Sequence, residues 1–193
     1  MSTDHPDYAL HAWVDESIHV SAGFYMIAAA IADVAQIESH RDFVRAIAPS
    51  PRRRIHWREE EDKDRLRIAE AFGQLDLAHT VVVASPIDPR KQERARRKCF
   101  ERLLPELAGI GVTHAWLETR TTVLNGRDRA MVAAMRGSGA LTGSLRVEFG
   151  DPEIEPLLWI PDVIAGALGA ARRGLPRYRD ALAIAIDEIE VCL

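Results

Sequence analysis

Three acidic side chains stand where a buried apolar run should continue. Asp15 closes Leu10-His11-Ala12-Trp13-Val14, Glu118 closes Val112-Thr113-His114-Ala115-Trp116-Leu117, and Asp162 sits within Leu157–Ala167, a stretch with no other charge. A carboxylate in apolar surroundings costs free energy unless it is paired or bound to a cation. Three repetitions of one oddity point to a shared cause. Carboxylate oxygens are the hard ligands that magnesium and manganese prefer, and phosphoryl transfer by such ions draws on several of them at once. The chemistry these residue types suit is therefore metal-assisted hydrolysis of a phosphodiester. Each acid also has a plainer account: Asp15 and Glu16 ending a strand at solvent, Glu118 pairing with Arg120, Asp162 favoured by a helix N-terminus.

Other candidates are weaker. His56-Trp57-Arg58-Glu59 places a His and a Glu three apart but lacks the second His of a zinc hydrolase motif, which leaves His56 as a residue that would position a phosphate or water. Arg90, Arg94 and Arg97 fall at helical spacing on one face and form a candidate track for a nucleic-acid backbone, although a solvated face is the commoner reason for such a row. Arg52, Arg53 and Arg54 make a second basic cluster in a loop. Arg120 and Asp128 follow the strand that ends in Glu118, in a position to assist a phosphate and a metal. The glycines of Arg136-Gly137-Ser138-Gly139 follow no strand and open no nucleotide loop, and Ser17 has no His and acid arranged as a triad.

Elements must bring the three acids together. Leu10–Asp15 and Gly23–Ile31 read as two strands of a hairpin, Gln36–Ala48 and Asp62–Phe72 as helices, and Ala78–Ala84, rich in β-branched residues and stopped by Ser85-Pro86, as a strand. A helix over Pro89–Leu107, a strand over Val112–Glu118, a helix over Arg127–Met135, a strand over Leu145–Phe149 and a helix over Pro156–Ala171 follow, with Pro161 as a kink. Leu182, Ile186 and Ile189 recur at helical intervals and predict a final amphipathic helix. That order suits a mixed sheet covered by helices on both faces. If the strand ending in Glu118 returns beside the first and parallel to it, Asp15 and Glu118 emerge side by side.

Bulk properties set bounds. With 193 residues, 47% hydrophobic and 28% charged, the chain reads as one globular domain over 1–193, with 35–73 as an insertion after the first hairpin. A net charge of -4 excludes binding of nucleic acid by overall electrostatics and requires a local basic patch. Cys99 and Cys192 offer neither a zinc pair nor a disulfide framework. Met1–Tyr8 lacks the pattern of a signal peptide, and no apolar run is long enough to span a membrane, so a cytoplasmic location is expected. The apolar tail would bury at home or in a homodimer.

Two short motifs add a resemblance. Asp15-Glu16-Ser17-Ile18 resembles the DESG strand end, and Trp159-Ile160-Pro161-Asp162-Val163-Ile164-Ala165-Gly166 the QxxDxxxG helix, of a bacterial family of unknown function in the ribonuclease-H-like superfamily. Arg54-Ile55-His56 stands at its middle element of Glu, an aliphatic and Lys. Ile18 replaces Gly, Trp159 replaces Gln, Arg54 replaces Glu and His56 replaces Lys. The resemblance implies an α/β ribonuclease-H-like mixed sheet flanked by helices, with the superfamily's catalytic metal ligands on Asp15, Glu118 and Asp162 and a fourth acid on Glu93 or Glu101. It implies a magnesium- or manganese-dependent nuclease acting on a nucleic acid of unspecified type, with Glu16, His56, Arg120 and Asp128 around the site. The alternative is a non-catalytic module of the same fold in a mobile-element or defence system.

Overall fold

The computed structural model describes residues 9–50 and 53–193, so Met1–Tyr8, Pro51 and Arg52 lie outside the described residues. Six strands form one mixed sheet. β1 (Leu10–His19) and β2 (Phe24–Asp33) make an antiparallel hairpin closed by Gly23 at φ 75°, a left-handed conformation that glycine adopts without steric cost. β3 (Ala78–Ala84) adds to β2 antiparallel, as β-branched residues suited to a pleated interior should. β4 (Val112–Glu118) lies on the other side of β1 and parallel to it, followed by β5 (Arg146–Gly150). The sixth strand, β6 (Asp187–Val191), pairs parallel with β3, giving the order β5-β4-β1-β2-β3-β6.

Alternation along the strands splits the core in two. On one face Trp13, Met26, Ala28, Ala30, Val81 and Val83 pack beneath α1 (Ile37–Ile47), α2 (Asp62–Phe72), α5 (Trp159–Arg172) and α6 (Arg177–Leu182). On the other, Val14, Ile27, Ala29, Val82 and Leu117 pack beneath α3 (Gln92–Gly109) and α4 (Thr122–Gly137). The section 35–73 shares the first core, burying Ile37, Val44, Ile55, Ile68 and Phe72 against α5 and the sheet. The alanines of β2 and the small residues of α5 let helix and sheet approach closely. No described helix is long and apolar enough to cross a membrane.

Several expectations change. The predicted final helix is the short α6 followed by β6. Leu182 belongs to the helix, Ile189 to the strand, and Ala183 between them turns the chain at φ 50°. α4 starts at Thr122, five residues earlier than expected, because the Thr121 hydroxyl accepts from the Leu124 N–H and caps it. Asp128, expected in the connection after the Glu118 strand, therefore lies within this helix. α3 begins at Gln92, so Arg90 precedes it and the one-face row of Arg90, Arg94 and Arg97 does not form. Pro161 lies in the first turn of α5, where no carbonyl awaits its missing N–H, and needs no kink.

Candidate active site

β1 and β4 run side by side with Val14 opposite Leu117, so the next residue of each strand, Asp15 and Glu118, leaves the sheet at the same edge. Both share the face of Trp13 and Trp116, which α5 covers. Asp162, in the first turn of α5, faces them from above. The sheet register and the helix thus bring together three acids that are far apart in the chain, and all three keep part of their surface open.

Their electrostatics report the meeting. Burial pushes the Asp15 carboxyl well above its ordinary range, and the charges of Glu118 and Asp162 push it further. Glu118 is raised by burial and by Asp162, against the opposing pull of Arg54 and His56. Asp162 is raised by burial, although the Trp57 N–H, His56, Arg54 and Arg58 all favour its charged form. Like charges crowded together at a poorly solvated strand end resist ionisation.

Local contacts hold each acid in place. Asp15 Oδ1 accepts the backbone N–H of Glu16 at 2.7 Å, and Asp162 Oδ2 accepts that of Trp57 at 2.8 Å. The second bond ties α5 to the segment between α1 and α2. Arg54 Nη1 lies 3.7 Å from Glu118 Oε1, and its Nε lies 3.4 Å from Glu153 Oε1. His56 stands beside the acids with a buried Nδ1 that has no hydrogen-bond partner. Among the described residues, no three His, Cys, Asp or Glu side chains close on one point tightly enough to hold a metal as they stand. The donor set nevertheless fits a hard divalent ion, because it is made of carboxylate oxygens whose mutual repulsion such an ion would relieve.

Similarity to known proteins is confined to the fold. No protein-family model matches the chain, and no curated protein matches it. A chain in the PCNA:RNase HII complex from Archaeoglobus fulgidus superimposes with a TM-score of 0.53 at 15% identity, over 90% of this chain and 87% of that one. The fold is ribonuclease-H-like. The ribonuclease H2 of Pyrococcus horikoshii OT3 gives a TM-score of 0.48 at 16% identity, over 86% of this chain and 72% of that one. With no family model matching, the likeness to the DESG and QxxDxxxG family rests on those motifs alone.

The opposite face of this ribonuclease-H-like sheet carries a second charged cluster. Glu16 alternates away from Asp15 and reaches Tyr25 and Arg96. Arg96, only 5% exposed, also grips Asp128 through Nε at 3.2 Å and Nη2 at 2.9 Å, with Phe100 stacked 4.7 Å from its guanidinium carbon. Arg120 bonds the same carboxylate at 3.0 and 3.1 Å and Glu93 at 2.7 Å. Glu16, Arg120 and Asp128 thus belong to this cluster, while His56 sits with the three acids. α3, which carries Glu93 and Glu101, lies on this face too, and Glu101 is held by Arg97 and Lys98 at 2.8 Å each. Arg94 and Arg97 are exposed on the same helix. Arg96 was missed as a buried residue, although it falls on the apolar stripe of Cys99, Phe100, Leu103 and Leu107 at helical spacing.

Proposed function

We propose that this protein hydrolyses phosphodiester bonds in a nucleic acid, with magnesium or manganese held by Asp15, Glu118 and Asp162. The observation that carries the reading is the convergence of these three acids from β1, β4 and α5, each with its charged form disfavoured. The ribonuclease-H-like fold is consistent with it. Such an ion, when bound, supplies Lewis acidity to the phosphate and makes a water more acidic. The chain supplies the rest. The β1–β4 pairing fixes the strand ends that carry Asp15 and Glu118, and the Trp57 N–H orients the Asp162 carboxylate. Arg54 and His56, which stand beside the acids, would offer positive charge and an N–H donor to a bound phosphate.

The direct test is cleavage of labelled RNA, DNA and RNA–DNA hybrid with magnesium, with manganese and with chelator, beside Asp15→Asn. The expected result is cleavage that needs the ion and disappears in the variant. Cleavage by Asp15→Asn at the rate of the unaltered protein would overturn the assignment.

One observation favours a second reading, a non-catalytic binding module in a mobile-element or defence system. Arg54, standing where the resembled family has Glu, sets a guanidinium 3.7 Å from Glu118, so one of the three acids already has a positive neighbour. On that reading the unaltered protein binds no divalent ion and Arg54→Ala gains the ability. On the catalytic reading, the unaltered protein binds the ion and Arg54→Ala cleaves more slowly.

A further inference from the structure

Beside Asp162 opens a cleft of about 670 Å³, walled by the β1–β2 turn, the segment after Trp57 and the end of α5. Its cations are Arg58, Arg65 and Arg173, and Asp162 is the one acid that lines it. Among the described residues none of the three arginines pairs with a carboxylate. Arg58 Nη2 donates to the Ile18 carbonyl at 3.2 Å, Arg65 donates to the carbonyls of Trp57 and Arg58 at 2.9 and 3.2 Å, and Arg173 meets the His19 ring. Carbonyls and a neutral ring fix where these guanidinium groups stand but leave their charge uncompensated. That differs from α3, where Arg97 and Lys98 are neutralised by Glu101. The cleft reaches the proposed site through Asp162, which lines it and whose charged form Arg58 favours.

We infer that this cleft receives a single-stranded segment of nucleic acid on one side of the scissile phosphate, gripping its backbone through Arg58 and Arg173. The inference rests on the proposed function and deepens it by naming the substrate form. A single strand is assigned because a cleft of this volume holds a nucleotide or two of one chain. The aromatic groups in the wall do not serve as stacking platforms. Arg65 covers Trp57 at 5.3 Å, Tyr178 meets the indole edge-on at 5.1 Å, and both rings are buried. Uncompensated arginines without a free aromatic face read phosphates rather than bases, so binding has little sequence preference. Arg65 braces the segment that carries Trp57 and Arg58, and is a positioning residue.

The test measures binding by fluorescence polarisation of a short labelled single strand and of its duplex, in Asp15→Asn with magnesium present so that no cleavage occurs. Arg58→Ala and Arg173→Ala are each expected to weaken single-strand binding by about tenfold, the worth of one charge-assisted hydrogen bond. Each should also lower the salt slope by roughly 0.7 for every phosphate that is no longer neutralised. Arg58→Lys and Arg173→Lys, which keep the charge, should recover most of the affinity and so exclude misfolding as the cause. Arg94→Ala with Arg97→Ala should change nothing. Single-strand binding that is absent, indifferent to Arg58 and Arg173, or abolished only with Arg94 and Arg97 overturns the inference. So does duplex binding that depends equally on the cleft. Cleavage is scored separately. Absence of cleavage with cleft-dependent binding intact strikes the catalytic reading alone, and cleavage with no dependence on the cleft strikes this one alone.

Discussion

Gly166 lies directly beneath the indole of Trp57, so close that a Cβ at position 166 would fall far inside van der Waals contact with the ring. Trp57 in turn donates its backbone N–H to Asp162, one helical turn before Gly166 on the same side of α5. The spacing of Asp and Gly in the late motif thus has a physical reason: the glycine admits the residue that orients the carboxylate. Gly166→Ala sets two effects against each other. Alanine gains about 1 kcal/mol of helix propensity, while overpacking against a buried ring costs about 1–3 kcal/mol or more. The expected outcome is a net loss of stability together with weaker binding of manganese by calorimetry. A variant that melts higher and binds the ion as before would show that the close packing positions nothing.

Asp15→Asn should stabilise the metal-free protein and abolish its response to magnesium. The folded pKa of Asp15 lies well above the ordinary 3.8. Its linkage contribution is therefore fully present below about 3.8 and is lost as pH rises through the folded value. At neutral pH the carboxyl is a burden that asparagine removes. Thermal melts in chelator at pH 7.5 should move up by about 2–4 °C for each kcal/mol relieved, and added magnesium should no longer raise them. A lower melting temperature for the variant in chelator would contradict this account.

The part of the site that could be read in the sequence was the part that broke a pattern. Asp15 and Glu118 each end an apolar run, and a parallel return of β4 beside β1 is enough to make them neighbours. Asp162 was visible as the lone charge of a buried helix. What escaped depended on context that no local window holds. Asp187-Glu188-Ile189-Glu190-Val191 alternates like a strand, but Leu182, Ile186 and Ile189 imitate a helical period because two elements meet at Ala183. Arg96 hid in a run of basic residues, and only the opposing Glu16 and Asp128, which are 80 and 32 residues distant, make its burial tolerable. The cleft of Arg58 and Arg173 joins segments over 100 residues apart and leaves no trace in local composition.

Arg96→Met should be among the most damaging substitutions away from the three acids. It replaces a side chain of similar length but leaves Glu16 partly and Asp128 almost wholly buried without the guanidinium between them. Breaking one side of a buried ion pair costs about 3–5 kcal/mol, against the 0–1 kcal/mol expected of surface pairs such as Arg45 with Asp42. Urea denaturation should show the difference, and adding Asp128→Asn to Arg96→Met should return part of the loss. Equal effects for the Arg96 and Arg45 substitutions would mean that the cluster on the far face carries no stability.

His79 sets a pH dependence of its own. It lies on β3 at 4% exposure with neither ring nitrogen partnered, and burial, helped by Arg179, lowers its pKa from 6.5 to about 4. A depressed folded value means that the unfolded chain takes up the proton first. The contribution of His79 to stability is therefore complete above pH 6.5 and drains away as pH falls toward 4. The size of the shift makes that loss on the order of 3 kcal/mol. His79→Leu removes both the titration and two unpartnered polar atoms, whose burial costs about 1–3 kcal/mol each. The variant should be more stable at pH 7.5 and lose less stability between pH 6.5 and pH 4.5 in urea titrations. His19, lowered to about 4 while only half-buried, titrates over the same range in both proteins, so the difference between the two curves isolates His79. Parallel curves would show that the ring meets water or a partner in solution and that its burial leaves no mark on acid stability.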